Sequence, residues 1–335
     1  MSDTATPAEV FTRAMMDAYK AAVAPHLEPG APYALVDFPD HPNVGDSAIY
    51  TGELEFLDAH AQRPPSYVCS TRSYRGDLAH FCPEGPILIH GGGNFGDVWR
   101  GHQLFRERIL REYPDRKVVQ LAQSIHFSDP ARRDDAARVI DAHPDFTLLV
   151  RDRESFDLAS RHFDCAVQMC PDAAHNMWHL PPTKPPSYPI LSVLRRDHEG
   201  QGDEILPYMR GLGPVEDWDR HFWARSLSDR VIERIISPRL PPNALLMRHR
   251  ERMYRRQAWN RVHHGVAILQ RGALLVSDRL HVHLLAGLMR RPHITMDNFY
   301  GKISRYIDAW GEDGLVVRVQ DLDGLKAALA EYRQD

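Results

Sequence analysis

The chain has 335 residues, with 41 Lys+Arg against 45 Asp+Glu, 19 His and 4 Cys; that length exceeds the roughly 250–300 residues at which a single core stops growing, so two domains are expected. A net charge of −4 with 43% hydrophobic residues excludes a disordered chain and argues against nucleic acid as a partner. No apolar run reaches the ~20 residues of a membrane span, and Cys69, Cys82, Cys165 and Cys170 lack CxxC or zinc-like spacing.

The N-terminus carries Asp3, Glu9 and Asp17 and has no apolar signal segment, so a cytoplasmic protein is expected. The first predicted strand, Tyr33-Ala-Leu-Val-Asp-Phe38, leads through His41-Pro-Asn43-Val-Gly45-Asp46-Ser47 into a helix over about 47–60. Gly45 permits a tight turn, and Asp46 or Ser47 can cap the helix; alternatively Asn43 and Asp46 face a ligand. Pro86-Ile-Leu-Ile-His90 runs into Gly91-Gly92-Gly93-Asn94-Phe-Gly-Asp97 and a helix over about 98–112. Three glycines between a buried strand and a helix leave backbone N–H groups free to approach an anion. Close strand–helix packing would also select them, and no dinucleotide or Walker fingerprint is present.

Lys117-Val-Val-Gln-Leu-Ala122 is the third strand, ending in Gln123, Ser124 and His126, residue types suited to a sugar or to an ordinary polar loop. A helix from Asp129-Pro130 to about 142 follows. Phe146-Thr-Leu-Leu-Val150 then delivers Arg151 and Arg153 ahead of a helix over about 152–162. An Arg at a strand end suits a carboxylate or phosphate, although pairing with Asp152 or Glu154 is the commoner fate. Pro171-Asp172 supplies another strand-end acid. Alternation of short apolar strands with helices marks a parallel sheet covered on both faces, whose ligands bind beyond the carboxyl ends of the strands.

Leu180–Pro189 holds five prolines, a density that reads as a stiff linker. It divides the chain into an N-terminal α/β domain, 1–184, and a C-terminal α/β domain, 185–335. The pattern restarts with Ile190–Leu194, a polar and aromatic stretch, and a helix over about 254–270. Ala273–Ser277, a helix Leu280–Met289, the strands His293–Met296 and Leu315–Arg318, and a helix Leu322–Tyr332 complete it. In Val276-Ser277-Asp278-Arg279-Leu280-His281-Val-His283, Arg279 offers a planar fork for an anion and His281 a proton near neutral pH. His281 and His283 are two apart and point in different directions on a helix, which argues against a shared metal. Six arginines with Tyr254 and Trp259 in Met247–Arg261 read first as a solvated helix face, and second as a grip on anionic lipid or diphosphate.

Asn43-Val-Gly-Asp46, His90-Gly-Gly-Gly-Asn94, Gln123-Ser124, Val150-Arg-Asp-Arg-Glu-Ser155, Pro171-Asp172 and Ser277-Asp-Arg-Leu-His281 together, in this order and spacing, resemble the polysaccharide pyruvyl transferase family. The resemblance spans roughly Asn43 to Tyr306. It implies two Rossmann-like domains arranged as in GT-B glycosyltransferases, with the active site in the interdomain cleft. It also implies transfer of pyruvate from phosphoenolpyruvate onto two hydroxyls of a sugar or lipid-linked oligosaccharide, giving a cyclic ketal and phosphate, without metal or other cofactor. The family's Arg-Leu-His triplet falls on Arg279, Leu280 and His281, and its strand-end arginine on Arg151.

On that reading Arg151, Arg279, Leu280 and the Gly91–Gly93 amides hold the donor. His281 protonates its methylene carbon, and Asp46 or Asp278 takes the hydroxyl proton. Asn43, Asn94, Gln123, Ser124, His126 and Asp278 are the candidates for acceptor contacts. The competing expectations are a GT-B glycosyltransferase using a nucleotide sugar, with Asp297 as the ribose acid, and a non-catalytic glycan- or phosphate-binding protein. Contact with the inner membrane face would follow from a lipid-linked acceptor.

Overall fold

The computed structural model describes residues 5–195, 202–217, 243–297 and 301–332. Seven strands precede the proline segment: β1 Ala34–Val36, β2 Tyr67–Cys69, β3 Ile87–Ile89, β4 Gly92–Gly96, β5 Val118–His126, β6 Phe146–Val150 and β7 Ala166–Met169. They pair in the order β2-β1-β3-β5-β6-β7, all parallel, with β4 alongside the distal half of β5. Helices Val44–His60, Arg100–Glu112, Pro130–Asp141 and Arg153–His162 connect them. Because both faces are covered, the central strands are almost continuously apolar, with Thr147 of β6 the exception: all residues of β1, β3 and β6 are buried. Edge strand β7 is exposed at every second residue.

Among the described residues, five strands follow the prolines: β8 Tyr188–Val193, β9 Val215–Glu216, β10 Gly272–Ser277, β11 His293–Met296 and β12 Val316–Val319. Their order is β12-β11-β10-β8-β9, again parallel. Two parallel, helix-covered sheets make the expected α/β, Rossmann-like, GT-B-like architecture. Most of the polar and aromatic stretch after β8 lies outside the described residues.

Three elements differ from the sequence reading. The glycine segment is strand β4 rather than an open loop. Gly92 and Gly96 have φ of +128° and +125°, and a Cβ on Gly96 would stand 1.7 Å from the His126 carbonyl. Only glycine lets this backbone lie so close to β5. Second, β5 extends to His126, so Gln123, Ser124 and His126 sit on a strand.

Third, the arginine-rich segment is the N-terminal part of a 26-residue helix, Ala244–Leu269, with one solvated face that carries Arg248, Arg252 and Arg256 and one face that is buried. Met247, Met253, Tyr254 and Ala258 enter the core of the first sheet, while Val262 and Leu269 enter that of the second. The Tyr254 ring stacks on Phe38 with centroids 3.9 Å apart. Arg250 and Arg261 are buried, Arg261 donating to the Pro39 carbonyl at 2.8 Å, and Arg255 pairs with Asp58 and Glu251. The helix fixes the ends of the two sheets against one another through packing on both cores.

Candidate active site

The loops beyond the carboxyl ends of β1, β6, β8 and β10, together with strand β4, enclose a cavity of about 440 Å³. From the first sheet come His41, Asn43, Gly45 and Asp46, then Gly93 and Asn94, then Arg151. Arg195, Arg279, Leu280 and His281 come from the second, with Lys302 from helix Lys302–Trp310. Arg72, Trp99 and His102 complete the wall. Among the described residues, five cationic side chains therefore border a space whose only bordering carboxylate is Asp46, in a chain of net charge −4. Such a concentration makes the local potential strongly positive.

The helix after β1 is capped by Asn43 rather than by Asp46 or Ser47: Asn43 Oδ1 accepts from the Gly45 and Asp46 N–H groups at 2.7 and 3.3 Å. That releases Asp46 to face the cavity, 3.5 Å from His41 Nε2. Burial would raise the Asp46 carboxyl, but His41 and His281 override it and hold it below the usual carboxylate value.

Arg151 is buried and fixed at three of its nitrogens' reach. Nε donates to Ser124 Oγ at 2.9 Å, Nη1 pairs with Asp172 Oδ2 at 2.6 Å, and Nη2 lies against Gly93, where a Cβ would approach to 3.2 Å. Arg153, two residues on, is exposed and away from the cavity. Asp172 Oδ2 also lies 3.3 Å from His281 Nε2, so one carboxylate oxygen serves an arginine of the first sheet and a histidine of the second. Burial acts to raise the Asp172 carboxyl, yet His281 and Arg151 hold it far below the ordinary range. The carboxylate thus stays ionised beside His281 and offers that ring a hydrogen-bond acceptor. Arg279, at the start of helix Leu280–Leu288, pairs with Asp217 at 2.8 Å.

The remaining candidates from the sequence lie elsewhere. Gly91 donates its N–H to Glu53 Oε1 at 2.8 Å, so that amide is not open to a ligand. Gln123 is fully buried and braces Asn94 through two hydrogen bonds, at 3.0 and 3.3 Å. Asp278 accepts from the Arg195 N–H at 2.9 Å, and burial raises its carboxyl. Ser124 and His126 line a second groove, which shares Gly93, Asn94, Trp99 and Lys302 with the first. Asp297, the ribose acid of the nucleotide-sugar alternative, spends one oxygen on the Ile303 and Ser304 N–H groups and borders neither space.

The model of the family described as polysaccharide pyruvyl transferase matches residues 43–298, a stretch that holds every residue named above as bordering the cavity except His41 and Lys302. The chain belongs to the polysaccharide pyruvyl transferase family. Pyruvyl transferase 1 of Schizosaccharomyces pombe is 30% identical over 327 residues, covering 90% of this chain and 76% of that protein. EpsO of Bacillus subtilis is 28% identical over 290 residues, covering 82% and 84%. A Klebsiella pneumoniae protein of known crystal structure shares the fold with a TM-score of 0.55 at 16% identity, covering 95% of this chain and all of that one.

In this member of the family, Asp172, Arg195, His102, Trp99, Arg72 and Lys302 reach the site without having been singled out as site residues from sequence. Asp172 carried a signal, Pro-Asp after a strand. The others are single residues whose convergence depends on how the two sheets face each other. No helix among the described residues is long and apolar enough to cross a membrane.

Proposed function

We propose that the chain transfers pyruvate from phosphoenolpyruvate onto two hydroxyls of a sugar unit, in a polysaccharide or its lipid-linked precursor, forming a cyclic ketal and releasing phosphate. The observation that carries this reading is the cavity ringed by Arg72, Arg151, Arg195, Arg279 and Lys302. Phosphoenolpyruvate holds a carboxylate and a phosphate on one small frame, and guanidinium forks match both groups.

Arg151 and Arg279 approach from opposite sheets and bind the two ends of the donor. His281, held against Asp172 at Nε2, lies at the same wall and gives its proton to the methylene carbon. C2 thereby becomes open to attack by a hydroxyl. The acceptor enters along the second groove, where Trp99 is half exposed and adjoins both spaces. An indole face suits the C–H face of a pyranose ring. Where the acceptor is lipid-linked, the exposed Arg248, Arg252 and Arg256 meet the anionic membrane surface.

Titration calorimetry with phosphoenolpyruvate and with a nucleoside diphosphate sugar tests the donor. Binding of the first, weakened at least ~10-fold by Arg279→Ala, supports the reading; binding of the nucleotide sugar alone overturns it.

A further inference from the structure

Ketal formation strips protons from two hydroxyls, so the site needs a base as well as the acid His281. The acids near the cavity are poorly suited. Asp46 faces His41 and is held below the usual carboxylate range, which weakens it as a base. Asp172 is claimed by Arg151, by His281 and by the Ala174 N–H. Asp278 is tied to the Arg195 N–H and does not border the cavity.

His102 is differently placed. It stands on the first turn of helix Arg100–Glu112 and borders the cavity. Its Nδ1 lies 2.8 and 3.0 Å from the two carboxylate oxygens of Asp37, which is fully buried just beyond β1. Asp37 has φ of +70°, a left-handed backbone that a non-glycine residue adopts at a cost of about 1–3 kcal/mol. That turn aims the carboxylate at His102. An ionised carboxylate only accepts hydrogen bonds, so Nδ1 carries the proton and Nε2 keeps its lone pair. Nε2 has no hydrogen-bond partner among the described residues.

We propose that His102, oriented by Asp37, is the general base that accepts the proton of the attacking acceptor hydroxyl; this rests on the pyruvyl-transfer reading above. The two carboxylate–histidine pairs then divide the work. In the first step the hydroxyl oxygen bonds to C2 of phosphoenolpyruvate, its proton passes to His102 Nε2, and His281 delivers a proton to the methylene carbon, making it a methyl. In the second step the C2–O bond to phosphate breaks and the neighbouring hydroxyl bonds to C2. Its proton passes to the neutral His281, while His102 gives its proton to the departing phosphate. Both rings return to their starting forms, and one phosphate leaves per ketal.

The charges that face His102 are Asp37, His41 and Asp46 on the first sheet's side, with the buried Arg106 behind Asp37. Across the cavity stand Arg279 and His281. Asp37 is a positioning residue and His102 the catalytic one.

The experiment measures phosphate release from phosphoenolpyruvate with a panel of p-nitrophenyl hexopyranosides. His102→Ala and the near-isosteric His102→Gln should lower kcat by ~10²–10⁴ and leave phosphoenolpyruvate binding, read by calorimetry, within about threefold. The acid limb of the wild-type pH profile should vanish in both variants, and imidazole in the buffer should restore part of the rate to His102→Ala. Asp37→Asn should lower kcat while keeping a displaced acid limb. Full turnover by either His102 variant, or an unchanged acid limb in both, overturns the base assignment while wild-type turnover leaves pyruvyl transfer standing. Wild-type protein that forms no product with any glycoside overturns the underlying reading, and this inference with it.

Discussion

Asp172 and His281 meet across the two sheets, Oδ2 to Nε2 at 3.3 Å, and the same oxygen accepts from Arg151 Nη1 at 2.6 Å. The proposed proton donor of one sheet and the proposed anion-binding arginine of the other are therefore held by a single carboxylate. Asp172 is itself held by backbone: Oδ1 accepts from the Ala174 N–H at 2.9 Å, and its own N–H donates to Tyr306 Oη at 3.0 Å. Asp172→Asn preserves shape and removes the charge. Turnover should fall ~10²–10⁴-fold by analogy with other aspartate–histidine pairs, and the buried Arg151, left unpaired, should cost about 3–5 kcal/mol of stability. Phosphate release and urea denaturation measure the two; activity within threefold of wild type contradicts the role.

Gly45 is required by His281. A Cβ there would stand 2.4 Å from His281 Nδ1 and 2.8 Å from its Cγ, so Gly45→Ala should push the ring out of place and lower turnover at least ~10-fold. Gly45 lies in the first turn of helix Val44–His60 with ordinary helical geometry, where alanine is favoured over glycine by up to ~1 kcal/mol. The variant should accordingly fold. Wild-type turnover in a folded Gly45→Ala protein would show that this contact does not position His281.

Arg106 is fully buried and donates to Gln103 Oε1 at 2.7 Å, to Asn94 Oδ1 at 2.9 Å and to Gln120 Oε1, with its guanidinium over the Phe95 ring. It locks the β4 backbone that carries Gly93 and Asn94 to the cavity. Arg106→Met should cost about 2–4 kcal/mol, because the three amide oxygens lose a charged donor in a dry interior. Thermal and urea denaturation check this, and a loss below about 1 kcal/mol would contradict it.

Three buried histidines make stability fall in mild acid. Burial pushes His175, His283 and His293 below their ordinary value, His175 to about 4. His293 Nδ1 donates to the Arg291 carbonyl at 2.9 Å, so its Nε2 accepts from His283 Nδ1 at 2.7 Å. A further proton would set N–H against N–H. The unfolded chain binds protons near pH 6.5 that the native state refuses, so these groups cost nothing above pH 6.5. As pH falls from 6.5 towards 4, each lowers stability by up to ~1.4 kcal/mol per pH unit. Denaturation at pH 7.5 and 5.0 should differ in this sense; equal midpoints would contradict it.

Trp99 is 51% exposed where the two spaces join. Trp99→Ala should raise KM for the glycoside acceptor about tenfold, the loss of one ring contact of ~1.4 kcal/mol. KM for phosphoenolpyruvate should stay within about twofold. Equal effects on both substrates would remove Trp99 from the acceptor path.

Strands such as β3 and β6 were legible because both faces are buried and their runs are almost wholly apolar. Strand β2, Tyr67-Val68-Cys69 between Pro64-Pro65 and Ser70, escaped notice because it lacks the aliphatic run that marks β3, and β7 because half of its side chains face solvent. The long helix Ala244–Leu269 was only half recognised: Arg250 and Arg261 look like surface residues until their partners on the first sheet are known. In the site, Arg279, His281 and Arg151 announced themselves as cationic groups at strand ends. Asp37 and His102 did not, since their pairing joins positions 65 residues apart and depends on a left-handed turn that no local pattern marks.

The most direct test of pyruvyl transfer combines phosphoenolpyruvate, the purified protein and the p-nitrophenyl hexopyranoside panel, followed by phosphate assay and mass spectrometry of the glycoside. The account predicts one phosphate released for each glycoside that gains a pyruvate ketal, with both signals lost in His281→Ala. Phosphate released without any gain in glycoside mass, or ketal formed at the wild-type rate by His281→Ala, would contradict it.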